Sequence, residues 1–215
     1  MIGSVPSIMA QPPASTPSDA DTDPRQQLRA ATAALHAQVD GGMPLSRPDV
    51  RLPDYQQHLA LLRTWVDALG PRVPAQTERL GREAAALQAD LDECRALLGS
   101  AAPTPDAPDS PPWASTAPLH PDAEGFGWGV AYVIEGSRLG GQVLHRRLAQ
   151  ALAPHSLAYL RGAGHATGAH WSAFLTQLRA ALETPQRVQA ACEGATLAFT
   201  LLLQCAAMPA PECER

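Results

Sequence analysis

Apolar residues recur at three- and four-residue intervals through almost every segment of this chain, from one proline or glycine stop to the next. That spacing allows helices and little else. Leu28, Ala31, Leu35 and Val39 form one such stripe. Tyr55, Leu59, Leu62, Val66 and Leu69 form a second, and Leu80, Ala84, Leu87, Leu91 and Cys94 a third. Ala, Leu, Gln, Arg and Glu dominate the middle of the chain, while only 5% of residues are aromatic and β-branched residues are sparse. Side chains of the first kind lose little rotamer freedom in a helix, and strands draw on the second kind. No stretch alternates convincingly with the period of two that a strand requires.

Local signals set the boundaries. Asp23-Pro24 reads as a cap followed by proline at the first helical position, and Gly41-Gly42 stops that helix. A second helix is predicted from about Asp54 to Gly70-Pro71 and a third from about Ala75 to Leu98. Beyond a proline-rich loop over 100–121, with seven prolines, come a glycine-interrupted helical stretch over 124–153 and a shorter segment over 154–163. Helices near 168–183 and 185–207 complete the chain. With 215 residues, 45% of them hydrophobic, the chain fits one ordinary domain with a full core. The expectation is an all-α, single-domain bundle of seven or eight helices over 24–207. Residues 1–23 and 208–215 read as tails, the first lacking periodic apolar positions and expected to be disordered.

Several function classes are excluded by charge and composition. The formal net charge is −5, every basic residue is arginine, and no arginine-rich tract or aromatic–basic interleaving occurs. A duplex-binding surface needs a basic footprint, so nucleic acid is not an expected partner. The longest apolar run, Ala195 to Leu203, is interrupted by Thr196 and Thr200 and is too short to span a bilayer, so no membrane is expected. No cation precedes Arg25, against a secretory signal, and a cytoplasmic setting is the expectation. Cys94, Cys192, Cys205 and Cys213 show neither C-x-x-C spacing nor pairing with histidine in the sequence, so they read as small apolar residues and a tail thiol.

Two segments could carry chemistry. Gly127-Trp-Gly-Val-Ala-Tyr-Val-Ile-Glu-Gly-Ser-Arg-Leu-Gly-Gly-Gln-Val-Leu144 has helical apolar spacing but holds Gly136, Gly140 and Gly141 in its middle. Each interior glycine costs about 0.8–1 kcal/mol relative to alanine. Gly136 and Gly140 share a helix face, so the pattern suits either tight helix–helix packing or close approach of something flat to the backbone. The second segment is Leu28-Arg-Ala-Ala-Thr-Ala-Ala-Leu-His36-Ala-Gln-Val-Asp40. His36 directly follows a stripe position, and Asp40 lies one turn on, within reach of the imidazole. By itself such a histidine is either a metal ligand or a satisfied boundary residue.

Together, L-R-x-A-T-x-x-L-H-x-x-V-D early in the chain and Y-V-I-E-G-S-x-L-G-G-Q-V-L past its middle resemble the biliverdin-forming haem oxygenases. The E-G-S-x-L-G-G run is similar to the bacterial type associated with phytochromes. The resemblance spans about residues 24–207, and the Gly162–Phe174 stretch also looks like the bacterial branch. It implies that His36 is the proximal ligand of haem iron and Asp40 its neighbour one turn later. Gly136, Gly140 and Gly141 then lie on the distal helix, and Arg29 stands near the haem propionates. On this resemblance the catalytic set is Gly136, Ser137, Gly140 and Asp40, and haem is held by Arg29, His36, Gly136, Gly140 and Gly141.

Animal enzymes carry aspartate where Ser137 stands, and a hydroxyl cannot carry that charge, so proton delivery differs in detail. Ala33 stands where a further basic residue is common, and Arg161 and Arg179 are candidate propionate partners. The implied reaction uses haem as cofactor and substrate, with O2 and electrons from outside, and yields biliverdin, carbon monoxide and ferrous iron. No flavin, nicotinamide or iron–sulfur motif occurs, so the electrons would come from a separate reductase or ferredoxin-like protein. A phytochrome is a possible bilin acceptor. The alternative is a haem carrier or sensor on the same fold that does not turn haem over. The remaining histidines, His58, His120, His145, His155, His165 and His170, are expected on surfaces or loops. Trp128 and Trp171 read as core or pocket wall, and Glu135 as facing solvent or neutralising Arg138.

Overall fold

Asp23 accepts the Arg25 amide at 3.1 Å and Pro24 opens the helix, so the first element begins where the cap signal placed it. The computed structural model describes residues 23–99 and 119–208. The tails expected over 1–23 and 208–215 and the loop over 100–121 fall almost wholly outside those residues. Helix α1 is Pro24–Gly42, α2 Leu52–Leu69, α3 Thr77–Leu98, α4 Ala123–Leu148, α5 Ala158–Arg161, α6 Thr167–Ala181 and α7 Pro185–Ala206. Short 3-10 turns fill several joints, at Pro44–Ser46, Gly70–Arg72, Pro74–Gln76 and Gly164–Ala166. No strand occurs among the described residues, and the fold is all-α.

Caps account for the other starts. Asp54 accepts the Arg51 amide at 2.8 Å, Asp122 accepts the Gly125 amide at 2.9 Å, and Thr184 accepts the Arg187 amide at 3.3 Å ahead of Pro185. Each satisfies a backbone donor that the first helical turn leaves without a partner.

Helix α7 lies at the centre, packed against α4, α1 and α2, while α3 lies mainly against α2. Val188, Ala191, Ala195, Ala198 and Leu202 of α7 are buried, and the buried Trp65 of α2 donates its indole N–H to the Ala198 carbonyl at 2.8 Å. By length and composition α7 is also the one described helix apolar enough to cross a membrane, with a mean hydropathy of 1.2 over its best window. More than half of that window is buried by its neighbours, as in the core helix of a bundle. Along α1 only part of the expected stripe is covered: Leu28 and Thr32 are buried, Leu35 and Val39 half-buried, and Ala31 exposed. One flank of α1 is therefore open.

Two histidines depart from the sequence reading. His58 is buried inside α2 and His155 is buried after Pro154. His58 shares the core-facing side of α2 with Tyr55 and Leu62, three and four residues away. Burial pushes its pKa down to about 4, so the ring is neutral. His155 accepts the Leu157 amide on Nδ1 at 2.9 Å, so Nε2 carries the proton and faces the Asp90 carbonyl at 3.2 Å and Cys94 Sγ at 3.3 Å. Cys94 therefore does meet a histidine, from a position that sequence spacing could not reveal.

Candidate functional site

Gly125, Gly129, Gly136 and Gly140 share one face of α4 and divide into two sets. At the N-terminal end a Cβ on Gly129 would lie 1.8 Å from the Ala191 carbonyl oxygen of α7, and a Cβ on Gly194 2.1 Å from the Phe126 carbonyl oxygen. There the absent side chains let two backbones touch. Gly136 and Gly140 continue the same face of α4. Among the described residues, a Cβ on Gly136 would meet only the edge of the Trp171 indole, at 3.8 Å, and one on Gly140 would meet nothing within 4 Å. Past Gly129 the glycine face has lost its helical partner, and bare backbone borders open space. Gly141 points elsewhere: its Cβ would approach the Leu160 carbonyl oxygen at 3.3 Å, so this glycine accommodates α5. Helix packing thus explains Gly129, Gly194 and Gly141, and it does not explain Gly136 or Gly140.

His36 stands on the open flank of α1 with its side chain 60% exposed. Its Nδ1 is 2.9 Å from Asp40 Oδ2. A carboxylate only accepts, so Nδ1 carries the proton and Nε2 is left with its lone pair outward. Phe199 of α7 lies under the imidazole, ring centroids 5.7 Å apart. Ser46 donates to the Asp40 backbone carbonyl at 2.8 Å and ties down the end of the helix that carries the pair.

Arg25, Arg29, Ala33, His36 and Asp40 follow one another at helical spacing and share that flank. Arg29 is exposed and makes no ion pair among the described residues. Arg25 and Arg29 reach Tyr132 of α4 electrostatically; burial raises the Tyr132 phenol, and the two guanidiniums partly oppose that rise. Tyr132 lies one turn before Gly136 and packs against Trp171, ring centroids 5.6 Å apart. Trp171 stacks on Phe174 at 5.5 Å. The His36 flank of α1 and the glycine face of α4 are thereby linked through Tyr132, with Trp171 as a side wall.

Ser137 is exposed beside this face and donates its hydroxyl proton to the Ile134 carbonyl at 2.7 Å. Its lone pairs remain free to accept. Arg179 is engaged by Asp23 at 3.2 and 3.3 Å, a link from α6 to the start of α1. Arg161 is exposed. Glu135 is mainly the partner of Arg79, with Arg138 3.7 Å away. Sequence reasoning missed Phe199 and Tyr132. Phe199 is hidden inside an apolar run, whereas Tyr132 carries the discernible signal of standing one turn before Gly136.

A broad surface cleft of about 720 Å3 lies on the other side of α1, lined by Gln27, Ala30, Ala31, Phe126 and residues of α7. Gln27 and His36 are nine residues apart, two and a half turns, and so point in opposite directions. None of the haem-site residues expected from the sequence lines that cleft. Among the described residues no group of three or more His, Cys, Asp or Glu is placed to hold a metal ion.

An outward-facing imidazole nitrogen on one helix and bare helical backbone on another, both helices resting on α7, are two features of this all-helical protein that packing among the described residues leaves without a partner. Residues 23–207 match the family model described as heme oxygenase, and the chain belongs to that family, whose members bind and degrade haem with oxygen. No curated protein matches the chain. Among solved structures, the NO- and CO-bound heme oxygenase from Neisseria meningitidis is similar, with 24% identity over 89% of this chain and 96% of that one and a TM-score of 0.57. That likeness shows a shared fold.

Proposed function

We propose that this haem-degrading enzyme opens haem to biliverdin, releasing carbon monoxide and ferrous iron, with His36 binding the iron through Nε2. The observation that carries the reading is the change along one face of α4, from backbone contact at Gly129 to open space at Gly140. A planar ring needs that strip, because any side chain there would stand between it and the helix. Bound haem supplies the iron at which oxygen is reduced and is itself the molecule that is opened.

The chain's own residues orient the ring and control access. Asp40 fixes the His36 tautomer and the direction of Nε2. Phe199 supports one side of the imidazole. Arg29, exposed on the same flank, is suited to a propionate. Gly136 and Gly140 admit the ring to the backbone, with Gly141 seating α4 against α5. Ser137 can hold a water by accepting a hydrogen bond from it, and it can donate to that water only by releasing the Ile134 carbonyl. That arrangement differs from a carboxylate, which could only accept.

The absence of flavin, nicotinamide and iron–sulfur motifs from the sequence supports an external electron donor, a reductase or ferredoxin-like protein. A cytoplasmic setting suits that requirement. The E-G-S-x-L-G-G run supports the bacterial, phytochrome-associated type, with a phytochrome as bilin acceptor. The test is single-turnover absorption spectroscopy of the haem-loaded protein in air with a reductant system. Loss of the Soret band with growth of a biliverdin band is expected. A Soret band that survives repeated electron delivery would make the chain a carrier or sensor.

A further inference from the structure

The open face of α4 cannot fix its own orientation, because Gly136 and Gly140 have no side chains to interlock with a neighbour. Something behind the helix must set its rotation. Arg138 is two residues from each of these glycines, about 200° around the helix and hence on its back. It donates from Nη2 to Glu83 of α3 at 2.8 Å, and Glu83 is only 3% exposed. The same carboxylate accepts the Tyr159 phenol of α5 at 2.7 Å. Glu135 lies 3.7 Å from Arg138 and pairs with Arg79, one turn before Glu83 on α3. Two acids and two guanidiniums balance in charge, and removing Arg138 would leave the buried Glu83 carboxylate without its ionic partner.

The network does not stop behind the helix. The Arg79 guanidinium lies 5.5 Å from the centre of the Phe174 ring, and Phe174 stacks on Trp171, whose edge touches the Gly136 face. A cavity of about 20 Å3, lined by Glu135, Arg138, Thr167, His170 and Trp171, lies beside the network. It has room for about one water.

We propose that Glu83 and Arg138 are positioning residues for the haem reaction: their ion pair, anchored on the buried Glu83 and braced by Tyr159, Glu135 and Arg79, sets the rotation of α4 that presents Gly136 and Gly140 to the ring. The inference rests on the functional reading above. Neither residue lies on the glycine face, so each acts through the helix and through Trp171.

Glu83→Gln keeps size and an acceptor while removing the charge. Arg138→Lys keeps the charge but loses the planar fork, and it is the variant expected to fold if Arg138→Met does not. Three quantities are read on each folded variant: haemin affinity by Soret titration, amide hydrogen exchange over residues 134–142 in the haem-free protein, and the ratio of biliverdin isomers by chromatography. Haemin affinity is expected to fall roughly 2- to 30-fold. Exchange over 134–142 should quicken more than exchange over α1, and the isomer ratio should shift, with Arg138→Lys between wild type and Arg138→Met. Folded Glu83→Gln and Arg138→Lys proteins with wild-type affinity, exchange and isomer ratio would overturn the clamp while leaving the enzyme reading intact. A wild-type chain that neither binds haemin nor yields a bilin would overturn the enzyme reading first, and the clamp with it.

Discussion

At the scale of single residues, the chemistry turns on which nitrogen of a histidine is free. Asp40 accepts a hydrogen bond from the Nδ1–H of His36 and leaves Nε2 available, a pairing visible in the sequence because four residues on a helix make one turn. Asp40→Ala should weaken haemin binding by roughly 10- to 100-fold, the usual cost of losing a ligand-orienting partner, and a Soret titration checks it. His58 is the opposite kind of histidine. Its Nδ1 has no hydrogen-bond partner among the described residues, and burial pushes its pKa down to about 4. The unfolded chain takes up its proton near pH 6.5 and the folded chain only near 4, so stability is full above 6.5 and is lost as pH falls through that window. The loss amounts to roughly 3 kcal/mol at most. Denaturant midpoints measured from pH 7 to 4 should fall less steeply in His58→Leu than in wild type. The burial of His58 was written in its spacing from Tyr55 and Leu62, but its polarity argued for the surface. His155 left no such trace, since its partners Cys94 and Asp90 lie more than sixty residues away in the chain.

At the scale of elements, α4 carries the argument. The sequence marks Gly136, Gly140 and Gly141 as costly in a helix, yet it does not distinguish a glycine pressed by a neighbour from one that faces open space. That distinction requires knowing where α5 and α7 run. It yields opposed outcomes for one substitution. Gly129→Ala would drive a methyl into the Ala191 carbonyl and should destabilise by about 3 kcal/mol or more, since backbone cannot move aside. Gly140→Ala meets nothing among the described residues and should stabilise the haem-free protein by up to about 1 kcal/mol, while lowering haem affinity and turnover. Thermal unfolding of the two haem-free variants, with haemin titration of the second, checks both. The helix boundaries themselves were legible within a few residues, because Asp23, Asp54, Asp122 and Thr184 are local signals. The exposed flank of α1 was not, since its stripe says which residues can be buried and nothing about how many neighbours arrive to cover them.

At the scale of the whole molecule, α7 is the floor on which α1 and α4 rest, and Phe199 and Ala191 show that it serves both. An all-helical class follows from periodicity alone, whereas the central place of α7 depends on contacts between distant segments such as Trp65 with Ala198. A ring held by α1 and α4 together must stabilise the bundle by mass action. With haemin at about a hundred times its dissociation constant, the gain is roughly 2.7 kcal/mol, which corresponds to a melting temperature higher by roughly 5–10 °C in a domain of this size. Calorimetry of wild type and His36→Ala, each with and without haemin, would show that rise in the first and little of it in the second. The most direct test of the site joins its two helices in one experiment: Soret titration with haemin of wild type, His36→Ala and Gly140→Leu, followed by single-turnover oxidation in air. Saturable binding in wild type alone, decaying to a biliverdin spectrum, is the expected result. Unchanged binding and turnover in both variants would contradict the assignment of haem to the space bounded by His36 and the Gly136–Gly140 face.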